Sequence, residues 1–163
     1  LPKFVSLQRD ARIAKLQAAR GAVNAAAAIG HSAFLVAGGV TTACPAGGNA
    51  SNTANGTVCT EGGLIQLANG YPSGAVALGA ATPGIIGAAG LVSSPNSPTL
   101  AQLNNEGFAA TVAGNITTFS VIGGSGTANV AGGQANATCS FTYTSAAAVN
   151  AAATVSAITT TGC

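Results

Sequence analysis

Ionisable chemistry is almost missing from this chain. Its 163 residues carry one His and three carboxylates, namely Asp10, Glu61 and Glu106, so the usual supply of general acids, bases and metal ligands is nearly empty. A paired-carboxylate or histidine-based enzyme is therefore disfavoured, and no cofactor or metal is expected. There is no Trp and no Met, and the aromatics are limited to five Phe and two Tyr. The core must then be assembled from Leu, Ile, Val, Phe and small side chains, with modest transfer energy per residue. No apolar run approaches the roughly twenty residues that cross a bilayer, and no signal peptide is visible.

What remains is Gly, Ala, Ser, Thr and Asn, together with four cysteines at positions 44, 59, 139 and 163. These are too widely spaced, and too far from His31, for zinc ligation. Disulfides are the better reading. Three pairings are possible, and the sequential one, Cys44 to Cys59 and Cys139 to Cys163, is favoured because each bridge closes a loop rich in Gly, Asn and Thr. Such bridges belong to an oxidising compartment. Export without a visible targeting segment implies a processed chain whose targeting segment has been removed.

Charge is confined to one end. Lys3, Arg9, Asp10, Arg12, Lys15 and Arg20 are six of the eight charged residues, and only Glu61 and Glu106 follow. The region 2–30 has helix-forming composition, with Pro2 suited to the first helical position or to a kink in a longer helix. Phe4, Leu7, Ala11, Ala14 and Ala18 recur at steps of three and four and mark one apolar stripe. Ile13, Leu16, Val23 and Ala27 mark another. Two stripes imply two packing partners, the chain's own head and something outside it, or else one wide buried face. The cations read most simply as a solvated face, with neighbouring subunits or anionic lipid head groups as other partners. Asp10 has no cation at the helical i±3 or i±4 positions, so its counter-charge is on another chain or in solvent.

The helix is predicted to end between residues 31 and 37, with His31 near its C-terminal dipole. Residues 41–55 read as a surface loop, 64–67 as a short strand, and Asn69-Gly70-Tyr71-Pro72 as a turn. Residues 74–91 read as a short helix or irregular crossing segment. A hairpin is predicted from 107–113 and 115–122 about Gly114, followed by a glycine-rich excursion over 123–133 and strands over 138–144 and 154–159. The glycine cluster at 123–126 lacks the Lys-Ser/Thr ending of a phosphate loop. Asn-x-Ser/Thr triplets start at Asn49, Asn55, Asn115 and Asn136. The expected fold is α+β: a single domain over 1–163, with an N-terminal helix (1–36), an intermediate region (37–106), and an antiparallel sheet of about four strands with a disulfide loop (107–163).

The run LPKFVSLQRDARIAKLQAARGAVNAAAAIGHSA closely resembles the part of the N-terminal helix that follows its apolar half in bacterial type IV pilins, especially the mannose-sensitive-haemagglutinin type and related prepilin-like proteins. Looser similarity continues through Glu61-Gly62, Leu67 to Pro72, Ala88-Ala89-Gly90-Leu91, Cys139 to Thr144 and Gly162-Cys163. The resemblance implies a pilin fold, and an apolar segment ahead of Leu1 that anchors the subunit in the inner membrane before assembly and later forms the filament core. It also implies that Cys139 and Cys163 bridge a surface loop.

The implied function is that of a structural, non-enzymatic subunit of an extracellular type IV pilus or pilus-like filament, serving adhesion, motility or surface attachment. Its partners would be further copies in a helical filament, with Phe4, Leu7, Arg9, Asp10 and Arg12 as the expected subunit contacts. A type II secretion pseudopilin is the first alternative, disfavoured by the shortage of carboxylates for a calcium site. A minor pilin that binds DNA is the second, and nucleic acid is the less expected partner because the cations all lie on the helix.

Overall fold

A computed structural model describes residues 2–93, 96–124 and 135–163. The fold is α+β, with a long N-terminal helix packed on antiparallel sheets and two disulfides. Helix α1 (Pro2–Ala37) contains 36 residues, which makes it about 54 Å long. Ala, Leu, Gln, Arg and Lys supply its propensity. It stops at Gly38-Gly39, where Gly39 adopts φ +76°, a conformation that glycine takes without steric cost. No helix among the described residues is long and apolar enough to cross a membrane.

The intermediate region is more structured than composition implied. Strands β1 (Thr42–Ala43) and β2 (Asn49–Ala50) pair with each other, and β3 (Thr57–Thr60), β4 (Gly63–Ala68) and β5 (Tyr71–Pro72) form a three-stranded antiparallel sheet. Residues 41–55 are therefore not simply a surface loop. Asn52 is buried, and its amide donates to the Val40 carbonyl and the Thr42 hydroxyl, pinning the loop from within. Helix α2 (Ile85–Ala88) is the short helix anticipated within 74–91. Helix α3 (Leu100–Asn105) was not anticipated. The Thr99 hydroxyl accepts from the Gln102 N–H while the Gln102 side chain accepts from the Thr99 N–H, a capping box that starts a helix only six residues long.

Strands β6 (Phe108–Ala113), β7 (Ile116–Val121), β8 (Ser140–Thr144) and β9 (Thr154–Val155) form a four-stranded antiparallel sheet in sequence order. The β6–β7 turn falls at Gly114, with φ +59°. The last strand is shorter than the 154–159 span predicted for it; beyond Val155 the Ser156 N–H donates to the Thr142 carbonyl and an isolated bridge joins Thr159 to Ser140. Most of the glycine-rich excursion lies outside the described residues. Ala110, Phe119 and Phe141 are register partners across β6, β7 and β8, and the two Phe rings stack at 5.2 Å.

The main core packs Leu16 and Val23 of α1 against Ile85, Leu103, Phe119, Phe141 and Tyr143. A smaller cluster sets Val58, Ile65 and Leu67 under Ala33 and Phe34. The two meet at Pro72. Its carbonyl accepts from the Tyr143 hydroxyl at 2.6 Å, and its ring lies so close to Gly30 that an added Cβ there would come within 2.5 Å of Pro72 Cγ. Helix, small sheet and large sheet are thus joined at one point. The bridges form as Cys44–Cys59 and Cys139–Cys163, with Cα–Cα distances of 5.4 Å and 4.8 Å. The first fastens the β1–β2 excursion to β3, and the second fastens the start of β8 to the end of the chain.

Candidate functional site

The two apolar stripes of α1 separate cleanly by burial. Leu16, Val23 and Ala27 are buried and Ile13 is partly buried, whereas Phe4, Leu7, Ala11, Ala14 and Ala18 are all exposed. At 100° per residue the two sets lie roughly 175° apart, on nearly opposite sides of the helix. The alternative of one wide buried face is thereby overturned. The outer stripe continues through Ala25, Ile29 and Val36 at the same angular position, with Phe4 68%, Leu7 62%, Ile29 61% and Val36 89% exposed. No charged side chain interrupts it. Its middle, from Ala11 to Ala25, consists of small residues that permit another helix to approach to the short end of the 8–10 Å interaxial range.

The cations are exposed or half-buried, as a solvated face requires, but four of them also reach the head. Arg9 donates to the Thr160 carbonyl at 3.5 Å and Arg20 to the Ser156 carbonyl at 2.7 Å. Arg12 donates to the main-chain oxygen of Cys163. Lys15 donates to the Glu106 carbonyl while its ammonium sits 4.5 Å from the centre of the Phe108 ring. Each long side chain delivers its charge to the head's own backbone. Four of the five cations are used in this way, and none of them lies on the outer stripe.

The predicted contact residues therefore fall into three groups. Phe4 and Leu7 lie on the outer stripe. Arg9 and Arg12 turn toward the C-terminal loop, where with Val5, Gln8, Thr161 and Cys163 they line an open depression of about 440 Å³. Asp10 is exposed to the side of the stripe and makes no ion pair among the described residues. Glu61 and Glu106 are likewise exposed and make no ion pair among the described residues. Among the described residues, no group of three or more His, Cys, Asp or Glu side chains is placed to hold a metal.

His31 is not at the end of the helix, which continues to Ala37. Its ring stacks on Tyr71 at 4.0 Å with an interplanar angle of 4°, and Nδ1–H donates to the Gly70 carbonyl at 2.9 Å. It is a docking residue between α1 and the β4–β5 turn. Of the four Asn-x-Ser/Thr positions, Asn136 is buried, whereas Asn49, Asn55 and Asn115 are exposed. Sequence reasoning missed Ile29 and Val36 as stripe members because the alanine run at 25–28 blurs the apolar contrast. It also missed a groove of about 380 Å³ beside Ile29, lined by Ala26, Ile65, Ala88, Val92 and Glu61.

No family model, curated protein or solved structure matches this chain.

Proposed function

We propose that this chain is a structural subunit of an extracellular type IV pilus or pilus-like filament. One observation carries the reading: an uncharged stripe of apolar and small residues runs the length of α1 on the side away from the head. In an isolated subunit this stripe leaves large side chains such as Phe4, Leu7, Ile29 and Val36 in water, the pattern of an association surface. Packing α1 against the helices of other copies would cover it. The subunit would be held at the inner membrane before assembly, and the neutral, Thr- and Asn-rich head would form the filament surface. The docking of Arg9, Arg12, Lys15 and Arg20 onto the chain's own carbonyls favours this reading over a DNA-binding one, which needs cations free for phosphates.

The test is Ala14→Glu and Ala18→Glu in the native gene, alone and together. Both sites are exposed, so the folded subunit should melt within about 0.5 kcal/mol of wild type. Surface filaments sheared from the cells and counted by electron microscopy should disappear. Filaments that persist in the double variant would sink the reading, as would a wild-type chain found outside any filament.

A further inference from the structure

We infer that the groove beside Ile29 is the socket for the N-terminal turns of a second copy, with Lys3 of that copy paired to Glu61 and its Phe4 seated on the apolar floor. The groove lies where α1 meets the β3–β4 turn and the segment after α2. Its floor is Ala26, Ile65, Ala88 and Val92, and Glu61 is the sole ionisable side chain among the described residues that line it. It opens directly onto the outer stripe, because Ile29 belongs to both.

Charge selects the occupant. Glu61 is exposed and has no ion pair among the described residues. Of the five cations, Arg9, Arg12, Lys15 and Arg20 are bonded to main-chain oxygens of the head. Lys3 alone among them has no side-chain partner in the described structure. It sits on an exposed helical turn beside Phe4, with Leu7 one turn further on. An apolar socket with one acid at its rim thus faces, on every other copy, an apolar plug with one free ammonium.

Plug and socket cannot meet within one chain. Phe4 and Ile29 are about 37 Å apart along a straight helix. The contact therefore joins two copies through different surfaces, and in a filament whose subunits all point the same way it repeats without closing. This inference rests on the filament reading and specifies one of its interfaces.

The test uses native filaments treated with a carbodiimide, which joins a lysine amine to a carboxylate at contact distance. Within these 163 residues Lys3 and Lys15 are the only lysines and Asp10, Glu61 and Glu106 the only side-chain carboxylates, so mass spectrometry of the linked peptides tells these pairings apart. The expected product is Lys3 linked to Glu61, in a ladder that extends beyond the dimer. Glu61→Lys and Lys3→Glu should each lower the filament fraction roughly two- to fivefold, and the two together should restore it, with subunit melting unchanged. Intact filaments in which Lys3 is linked only to Asp10 or Glu106, a ladder that stops at the dimer, or a double variant no better than the singles would overturn the inference and leave the filament reading standing. Absence of filaments from wild-type cells would remove both.

Discussion

Replacing Tyr143 by Phe probes the point where helix and sheets are joined. Tyr143 is fully buried, and its hydroxyl donates to the Pro72 carbonyl at 2.6 Å. Deleting the hydroxyl leaves that carbonyl without its donor, at a cost of about 1–3 kcal/mol. For a chain of this size that corresponds to a melting temperature lower by roughly 2–4 °C per kcal/mol. The pH dependence sharpens the prediction. Burial, followed by the neighbouring Tyr71, pushes the Tyr143 phenol well above its ordinary pKa of 10. A group whose folded pKa is raised stabilises the fold fully below its unfolded pKa, and that contribution is lost as pH climbs toward the folded value. Wild type should therefore lose about 1.4 kcal/mol relative to Tyr143→Phe for each pH unit above 10. Other titrating groups are common to both proteins and cancel in the difference. The assay is urea unfolding of the oxidised proteins at pH 7 and pH 11. A stability gap that is the same at both pH values would refute the claim that burial suppresses ionisation, and no gap at pH 7 would refute the role assigned to the hydroxyl.

Two glycines of α1 should respond in opposite directions. Gly30→Ala drives a Cβ to 2.5 Å from Pro72 Cγ, and the overpacking cost of about 1–3 kcal/mol should outweigh the gain of roughly 1 kcal/mol in helix propensity. Gly21→Ala meets nothing within 4 Å and should gain most of that propensity, which thermal melts of the two variants will show directly. Replacing Cys139 and Cys163 together by Ser opens a loop of sequence separation 24. It should cost about 3 kcal/mol in the chain-entropy account and also loosen the Cys163 oxygen from Arg12, seen as a lower urea midpoint. Arg20→Gln removes the charge that reaches the Ser156 carbonyl. It should speed amide exchange around β9 while leaving the protection of β7 unchanged.

Legibility in the sequence followed the range of each interaction. The two stripes of α1 were readable because helical spacing alone places Leu16 and Val23 on one side and Phe4 and Leu7 on another, and burial then showed which side meets the head. The β6–β7 hairpin was readable from alternating strand residues about Gly114, and the cysteine pairing from the composition of the loops that it closes. Helix α3 escaped because its one signal, Thr99 followed by Gln102, precedes only one and a half turns ending in two Asn. The destination of Arg12 escaped for a different reason. Its partner is 151 residues away, and no local pattern tells a cation bound for a distant carbonyl from one bound for solvent. The groove escaped likewise, since Ile29, Glu61, Ala88 and Val92 come from separate segments that only the fold brings together.

The placement of charge on α1 links the fold to the proposed assembly. A helix about 54 Å long that packs a head on one side is ordinarily kept soluble by charge on the other. Here Arg9, Arg12, Lys15 and Arg20 instead lie off the outer stripe and reach inward to Thr160, Cys163, Glu106 and Ser156. Two effects follow from that one choice. The C-terminal loops, which have few large apolar residues, gain charge-assisted hydrogen bonds in place of hydrophobic packing. The outer side, relieved of charge, becomes a surface on which a neighbouring helix can lie without desolvating an ion, a step that would otherwise cost several kcal/mol per buried charge. Moving a single one of these cations outward, for instance Lys15 to position 14 or 18, would weaken both the head and the interface. The chain's internal stability and the association proposed for it therefore rest on the same side chains.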